Sequence, residues 1–305
     1  MVGQLRITEA TCSVRTVLPA AEPWLGRLWS ARNRAHLWLF ERTRLLPHLN
    51  LTSQVSVGGR VFKIPVKQGI RLYAIDVEPW LDGVIRRLTA ARAGSFVDVG
   101  ANLGQTLLKV KAVVQQARYF GFEPNPRCYC YLSDVIALNA LPACKIYPFA
   151  LGQAPAVVEL FQSSAADPSA SIVEGFRPDE HYSSRQFATV FPGDQVLGGA
   201  EIDAISVIKI DVEGAERDVL LGLAGTIDRH RPSIICEVLP VYDEHTGNGA
   251  FRLARQREIE SFLRQRNYTI QRVGADGQLI RIQEIGIHDD LGLCNYVFAP
   301  VERPA

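Results

Sequence analysis

The chain has 305 residues, 47% of them hydrophobic and 21% charged, with a formal net charge of +1. That balance fits a globular protein with one large domain or a domain plus an extension, and it gives no electrostatic basis for nucleic acid or an acidic polymer as partner. The six cysteines (Cys12, Cys128, Cys130, Cys144, Cys236, Cys294) form no CxxC pair and no zinc-ligand spacing, no apolar run reaches the roughly 18 residues of a membrane span, and the N-terminus lacks a signal-peptide core. The expectation is a cytoplasmic protein with reduced thiols and no membrane span.

Residues 1–94 read as an extension to a domain over 95–305. Up to Arg60 there are eight arginines against three glutamates, and three of the four tryptophans. The segment 23–47, opened by Pro23 and stopped by Pro47, reads as a helix with Trp24, Leu25, Leu28 and Trp29 at helical spacing. Such a helix packs over the main domain, docks to a partner subunit in a homo-oligomer, or lies on an anionic membrane. QVSVGGRVFKIPV (54–66) alternates around Gly58-Gly59 and predicts a hairpin.

From residue 95 strands and helices alternate. SFVDVG (95–100), RYFGFE (118–123), CKIYPFA (144–150), VIKID (207–211) and PSIICEV (232–238) read as strands. The intervening helices follow residue 103, run from Pro126 to about Asn139, and include GAERDVLLGLAG and FRLARQREIESFLRQR. Between 151 and 204 the pattern loosens, with VVELF and FATVF as short strands. YTIQRV (268–273) and NYVFAP (295–300) close the chain without an intervening helix. This order predicts an α/β fold, a mostly parallel sheet with an antiparallel edge.

Ligands of open α/β sheets bind at the carboxyl ends of the strands. Four strands carry an acid there: Asp98, Glu123, Asp211 and Glu237. In VIKIDVEGAE (207–216) a strand expected to be buried on both faces holds Lys209 and Asp211 two residues apart, hence on one face, where each lowers the cost of burying the other. DVGANLGQT (98–106) places glycines 100 and 104 in a strand-to-helix turn, but Asn102 stands at the second glycine of the GxGxxG dinucleotide fingerprint. That argues for a nucleoside without a pyrophosphate, with Glu123 on the ribose hydroxyls, which suggests S-adenosylmethionine.

FVDVGANLGQT, GFEPNP (121–126) and VIKIDVEGAERDVLLG (207–222) resemble the signature segments of FkbM-type S-adenosylmethionine-dependent methyltransferases, over about residues 95–300. The resemblance implies the Rossmann-like class I methyltransferase fold, a seven-stranded sheet with an antiparallel last strand. It also implies O-methylation of a hydroxyl on a small polyhydroxylated acceptor, a sugar or natural product. By that match Asp98, Gly100, Ala101, Asn102, Gly104, Glu123, Asn125 and Ala150 hold the cofactor. Residues 151–200 match loosely, and the Thr-Leu-Asp common before the fourth strand is replaced by Phe191-Pro192-Gly193-Asp194.

For catalysis the first candidate is Asp211 as base, with Lys209 keeping it ionised and Glu237 beside it; His245, in the loop LPVYDEHTGNG, is a second candidate base. Asp243 and Glu244 share that loop, and Tyr242 either lines a pocket or packs beneath it. Asp211 and Glu237 form an alternative Mg²⁺ site, although the resemblance requires no metal. Glu213 either joins the site or caps the next helix, and Glu216 reads as a first-turn acid. Arg177, His181, Tyr182, Ser183 and Arg185 lie in a long loop suited to a carbohydrate. Two competing readings are a nicotinamide-dependent oxidoreductase and a noncatalytic module that docks through the N-terminal helix.

Overall fold

A computed structural model describes residues 51–67, 78–164, 167, 169–176, 182–200 and 202–301. The helix expected over 23–47, and Arg177 and His181, lie outside the described residues. The hairpin is present: β1 (Thr52–Val57) pairs antiparallel with β2 (Arg60–Pro65). Gly58 and Gly59, at φ 55° and 79°, make the primed turn that matches strand twist. Its apolar residues Val57, Phe62 and Ile64 are buried against Leu108, Tyr131 and Val135, so the hairpin packs on the body of the protein.

The main sheet contains β3 (Ser95–Val99), β4 (Tyr119–Phe122), β5 (Cys144–Tyr147), β9 (Ile205–Ile210), β10 (Ser233–Glu237), β11 (Tyr268–Val273), β12 (Leu279–Ile282) and β13 (Asn295–Pro300). Their order is β5-β4-β3-β9-β10-β13-β11-β12. The first five run parallel, and β13 is antiparallel to both β10 and β11. The seven expected strands are thus in place, and β12 extends the edge as an eighth, antiparallel to β11. The sequence reading passed over β12 because four residues, LIRI, give too short an alternation to register.

Both faces of this sheet are covered, which explains why its strands read as continuous apolar runs. One face carries Phe96, Tyr119, Val207, Ile235 and Val297 under α1 (Leu81–Ala91), α2 (Gln105–Val113) and α3 (Pro126–Leu138). The other carries Val97, Val99, Phe120, Ile208, Ile210 and Ile234 under α5 (Glu216–Gly222), α6 (Ala224–His230) and α7 (Gly247–Gln265). Helix α1 follows from apolar residues at 81, 84, 85 and 88, one stripe of a 3.6-residue repeat, all buried.

The segment expected as one strand over 144–150 is two. Pro148 has no N–H to continue the ladder, so β5 stops at Tyr147. The chain then enters a separate three-stranded sheet, order β6-β8-β7, from β6 (Ala150–Gly152), β7 (Ala156–Gln162) and β8 (Ser184–Pro192). Helix α4 (Gly193–Gly198) follows at once, and its Asp194 accepts the backbone N–H groups of Gly225 and Thr226 at 2.7 Å, closing the first turn of α6. No helix among the described residues is long and apolar enough to cross a membrane.

Candidate active site

A cleft of about 700 Å³ opens over the carboxyl ends of β3, β4, β9 and β10. Its wall on the β3 side is the turn from Val99 into α2. Gly100 (φ 88°) packs so closely on the strand-end backbone that a Cβ would sit 1.8 Å from the Asp211 carbonyl oxygen. Gly104 (φ 94°) caps α2, and a Cβ there would meet Leu132 at 2.6 Å. Both glycines, expected among the cofactor residues, serve first to let chain meet chain. Asn102 is itself left-handed (φ 45°), with its Oδ1 accepting from the Leu103 N–H at 2.7 Å. Asparagine tolerates this conformation, so it fills the backbone role a glycine would have.

Glu123 staples the turn. Its Oε2 accepts the Asn102 N–H at 2.8 Å and its Oε1 the Asn125 N–H at 2.7 Å. Burial pushes its pKa up to about 7, against the pull of those two amides. Each oxygen keeps a lone pair, and Glu123 lines the cleft with Gly100, Ala101, Asn102 and Ala150. Asn125 is the N-cap of α3, accepting from the Arg127 N–H at 3.0 Å; it supports Glu123 and is not in the cleft wall. Asp98 lies below the floor, fully buried, with Tyr119 Oη donating to Oδ2; among the described residues its Oδ1 has no hydrogen-bond partner. Burial raises Asp98 to about 6, with Lys209 and Tyr119 pulling the other way.

The β9 strand delivers the charged pair. Lys209 and Asp211 do share a face, with Nζ 2.7 Å from Oδ2. Lys209 is 4% exposed. Burial alone would lower its pKa, but Asp211, then Glu78, then Asp98 outweigh it and hold the ammonium well above the lysine range. Burial likewise works to raise Asp211; the Lys209 charge and hydrogen bond win and keep it below the ordinary carboxylate range. Glu237, one strand over, shows the opposite outcome. Burial, then Asp211 and Glu213, push it up to about 9, so of the two carboxyls it is the one that holds a proton more readily, in a hydrogen bond with Asp211. Cys294 Sγ donates to Glu237 Oε1 at 3.2 Å.

Glu213 joins this group instead of capping a helix. Helix α5 starts at Glu216 behind Ala215 with no side-chain cap, and Glu213 sits in a left-handed turn (φ 51°). One carboxylate oxygen each from Asp211, Glu213 and Glu237 lies within 4.8 Å of the others. Glu216 closes the turn by accepting the Gly214 N–H at 2.9 Å. His245 is exposed, its N–H donating to Asp243 Oδ1, and neither it nor Tyr242, Asp243 or Glu244 lines the cleft. Tyr182 and Ser183 lie just ahead of β8 and Arg185 within it, paired with Glu159 of the neighbouring β7 at 3.1 Å, and all three stay outside the cleft wall.

Two contributors escaped the sequence reading. The turn Glu78-Pro79-Trp80 before α1 lines the cleft, and the apolar spacing of α1 was the available signal. A strap over 169–176 brings Ala170 and Ile172 to the cleft. Ser171 Oγ donates to the Glu213 carbonyl at 2.7 Å. At the far end Asn248 Nδ2 donates to the Gly175 and Phe176 carbonyls, and Arg252 lies 4.8 Å over the Phe176 ring.

A family model described as the methyltransferase FkbM domain matches residues 98–270, more than half of the chain. The chain belongs to this family. It is a methyltransferase, and the nicotinamide-dependent and noncatalytic readings fall with that. Methyltransferase sdnD of Sordaria araneosa is 27% identical over 211 residues, covering 59% of this chain and 76% of that protein. Among solved structures, methyltransferase FkbM from Methylobacillus flagellatus is 19% identical, with a TM-score of 0.42 over 67% of this chain; the chain spans 43% of that protein. An O-methyltransferase from Bacillus cereus, solved in complex with SAH, is 12% identical with a TM-score of 0.46, covering 76% of this chain and 84% of that one.

The buried acids of this FkbM-family site carry a thermodynamic signature. Asp98, Glu123, Glu216 and Glu237 all have folded-state pKa values raised by burial, to about 6, 7, 7 and 9. A raised acid contributes most below its unfolded value of about 4 and loses that contribution as pH climbs through the folded value. Melting temperature is expected to fall steadily from pH 6 to pH 9, and Glu237→Gln to flatten the upper half of that decline. Calorimetric melts across this range check it, and a rising melting temperature would contradict the assignment.

Proposed function

We propose that the protein is a cytoplasmic S-adenosylmethionine-dependent O-methyltransferase acting on a small polyhydroxylated acceptor, a sugar or natural product, with Asp211 as general base. The observation that carries this reading is Asp211 at the cleft, its Oδ2 held 2.7 Å from the buried Lys209 ammonium and its carboxylate beside Glu237.

The cleft volume falls in the roughly 300–1,000 Å³ range of small-molecule sites. Glu123, Gly100, Ala101, Asn102, Phe122, Ala150 and Leu151 line the cleft; Glu123 would hold the ribose hydroxyls, the Gly100–Asn102 backbone the amino-acid portion, and Phe122, Ala150 and Leu151 the adenine. When bound, S-adenosylmethionine supplies a methyl group on a sulfonium, already activated toward attack by oxygen. The protein's tasks are therefore alignment and removal of one proton. Asp211 takes the proton of the acceptor hydroxyl. Lys209 stays an ammonium throughout, so it orients Asp211 and cannot itself be the base. Glu237, where it holds a proton, hydrogen-bonds Asp211 without adding a second charge.

A metal reading rests on the three clustered carboxylates, whose oxygens are close enough to share a divalent cation. The Lys209 ammonium, 2.7 Å from Asp211, already compensates one of the three charges and occupies one Asp211 oxygen, which favours the metal-free base. Calorimetric titration with S-adenosylhomocysteine tests the cofactor. Saturable binding is expected, weakened at least tenfold by Glu123→Ala, the loss of roughly 1.4 kcal/mol or more that two backbone contacts and the ribose contacts support. NAD is expected not to bind. Turnover is expected to survive EDTA; loss with EDTA and recovery with Mg²⁺ would establish the metal reading instead.

A further inference from the structure

Glu78 lies twenty residues ahead of the family-matched region, yet it lines the same cleft as Asp211 and Glu237. Its turn is firmly seated. Lys109 of α2, 2% exposed, donates to the Glu78 carbonyl at 2.6 Å and pairs with Asp82 Oδ1 at 3.5 Å, and the Leu81 N–H donates to the same carbonyl at 3.0 Å. Trp80, two residues on, is half-buried in the cleft wall. Glu78 is, after Asp211, the strongest of the charges that hold the Lys209 ammonium; burial raises its own carboxyl above the ordinary range, with Lys209 and Lys109 pulling the other way, so it carries its full charge only on the alkaline side. It thus shares the cleft with the Lys209–Asp211 pair, near enough for its charge to act on Lys209.

The cations of the cleft are already engaged. Lys209 is paired with Asp211, and Lys109 with a carbonyl and Asp82. Among the described lining residues there is no arginine, the side chain that matches phosphate and carboxylate in two-point geometry. We propose that Glu78 is a specificity-determining residue, making the acceptor end of the cleft anionic so that it takes neutral or amino-bearing polyols and rejects acceptors carrying phosphate or carboxylate. The proposal rests on the methyltransferase site described above and assigns the charge class of its acceptor.

Trp80 reports this field directly. In full-length protein carrying W24F, W29F and W38F, its fluorescence is titrated with caesium and with iodide at constant ionic strength, above pH 8. Caesium is expected to quench about threefold or more better than iodide, as focused negative potential concentrates cations. E78Q is expected to reduce that ratio at least by half, while E78D retains it and its melt controls for folding. Equal quenching by the two ions, or an unchanged ratio in folded E78Q, overturns the proposal. Methylation of glucose 6-phosphate in preference to glucose would overturn it as well. S-adenosylhomocysteine affinity is expected to stay within about twofold in E78Q, and a loss of tenfold or more would place Glu78 in the cofactor site and defeat the acceptor role. If the unsubstituted protein does not bind S-adenosylhomocysteine, the cofactor reading fails, and the quenching ratio still decides the role of Glu78.

Discussion

Asp211→Asn is expected to lower turnover by roughly 10²- to 10⁴-fold, the range for removing a positioned general base. The substitution keeps the shape and an oxygen that accepts from Lys209. The ammonium also keeps Glu78 and Asp98 as charged neighbours. Outright removal of one partner from a buried ion pair costs about 3–5 kcal/mol, and an amide that still accepts a hydrogen bond should lose less, so the fold survives. S-adenosylhomocysteine affinity is expected to change by only a few-fold, because the proposed cofactor contacts run through Glu123 and the turn after β3. The measurement is release of S-adenosylhomocysteine with any acceptor the wild type methylates, beside calorimetry and a melt. Turnover within tenfold of wild type would remove Asp211 from the role of base and return the question to Glu213 and Glu237.

Gly100→Ala is expected to be the most damaging small change to the fold. An added methyl would meet the Asp211 carbonyl oxygen at 1.8 Å and its carbon at 2.9 Å, and both belong to backbone that β9 holds by the Asp211 N–H bond to Val99. No rotamer relieves the overlap, and φ 88° is strained for alanine in addition. Destabilisation above about 4 kcal/mol, or failure to accumulate folded protein, is the expected result in urea denaturation. Gly83→Ala is the control: exposed in α1 with nothing within 4 Å of the new methyl, it should stabilise by about 0.5–1 kcal/mol. Near-equal midpoints for the two variants would mean that the turn after β3 and the end of β9 do not pack as described.

These two residues also show what a sequence discloses and what it withholds. Lys209 and Asp211 could be paired on paper because strand periodicity is fixed at two, and Glu237 could be placed beside them because parallel strands end along one edge. Gly100 could be flagged but not explained, since its neighbour lies more than a hundred residues away. Glu213 was ambiguous for a different reason. Whether its side chain caps a helix or enters the cleft depends on a left-handed backbone that glutamate adopts here against its own preference. Glu78 was invisible because its turn belongs to the irregular stretch before the alternation begins. The fold therefore showed through where hydrophobic period governs, and the site showed through only where strand ends govern.

The strap over 169–176 ties the cleft to α7, whose Asn248 and Arg252 grip Phe176 without approaching Asp211. Its inner residues Ala170 and Ile172 form part of the cleft wall. Under the proposed function, acceptor range and chemical competence would lie on separate stretches of chain. A lineage could then retune what it methylates by altering the strap or its distant anchors, leaving intact the residues proposed to move the proton, and a protein engineer would have the same freedom.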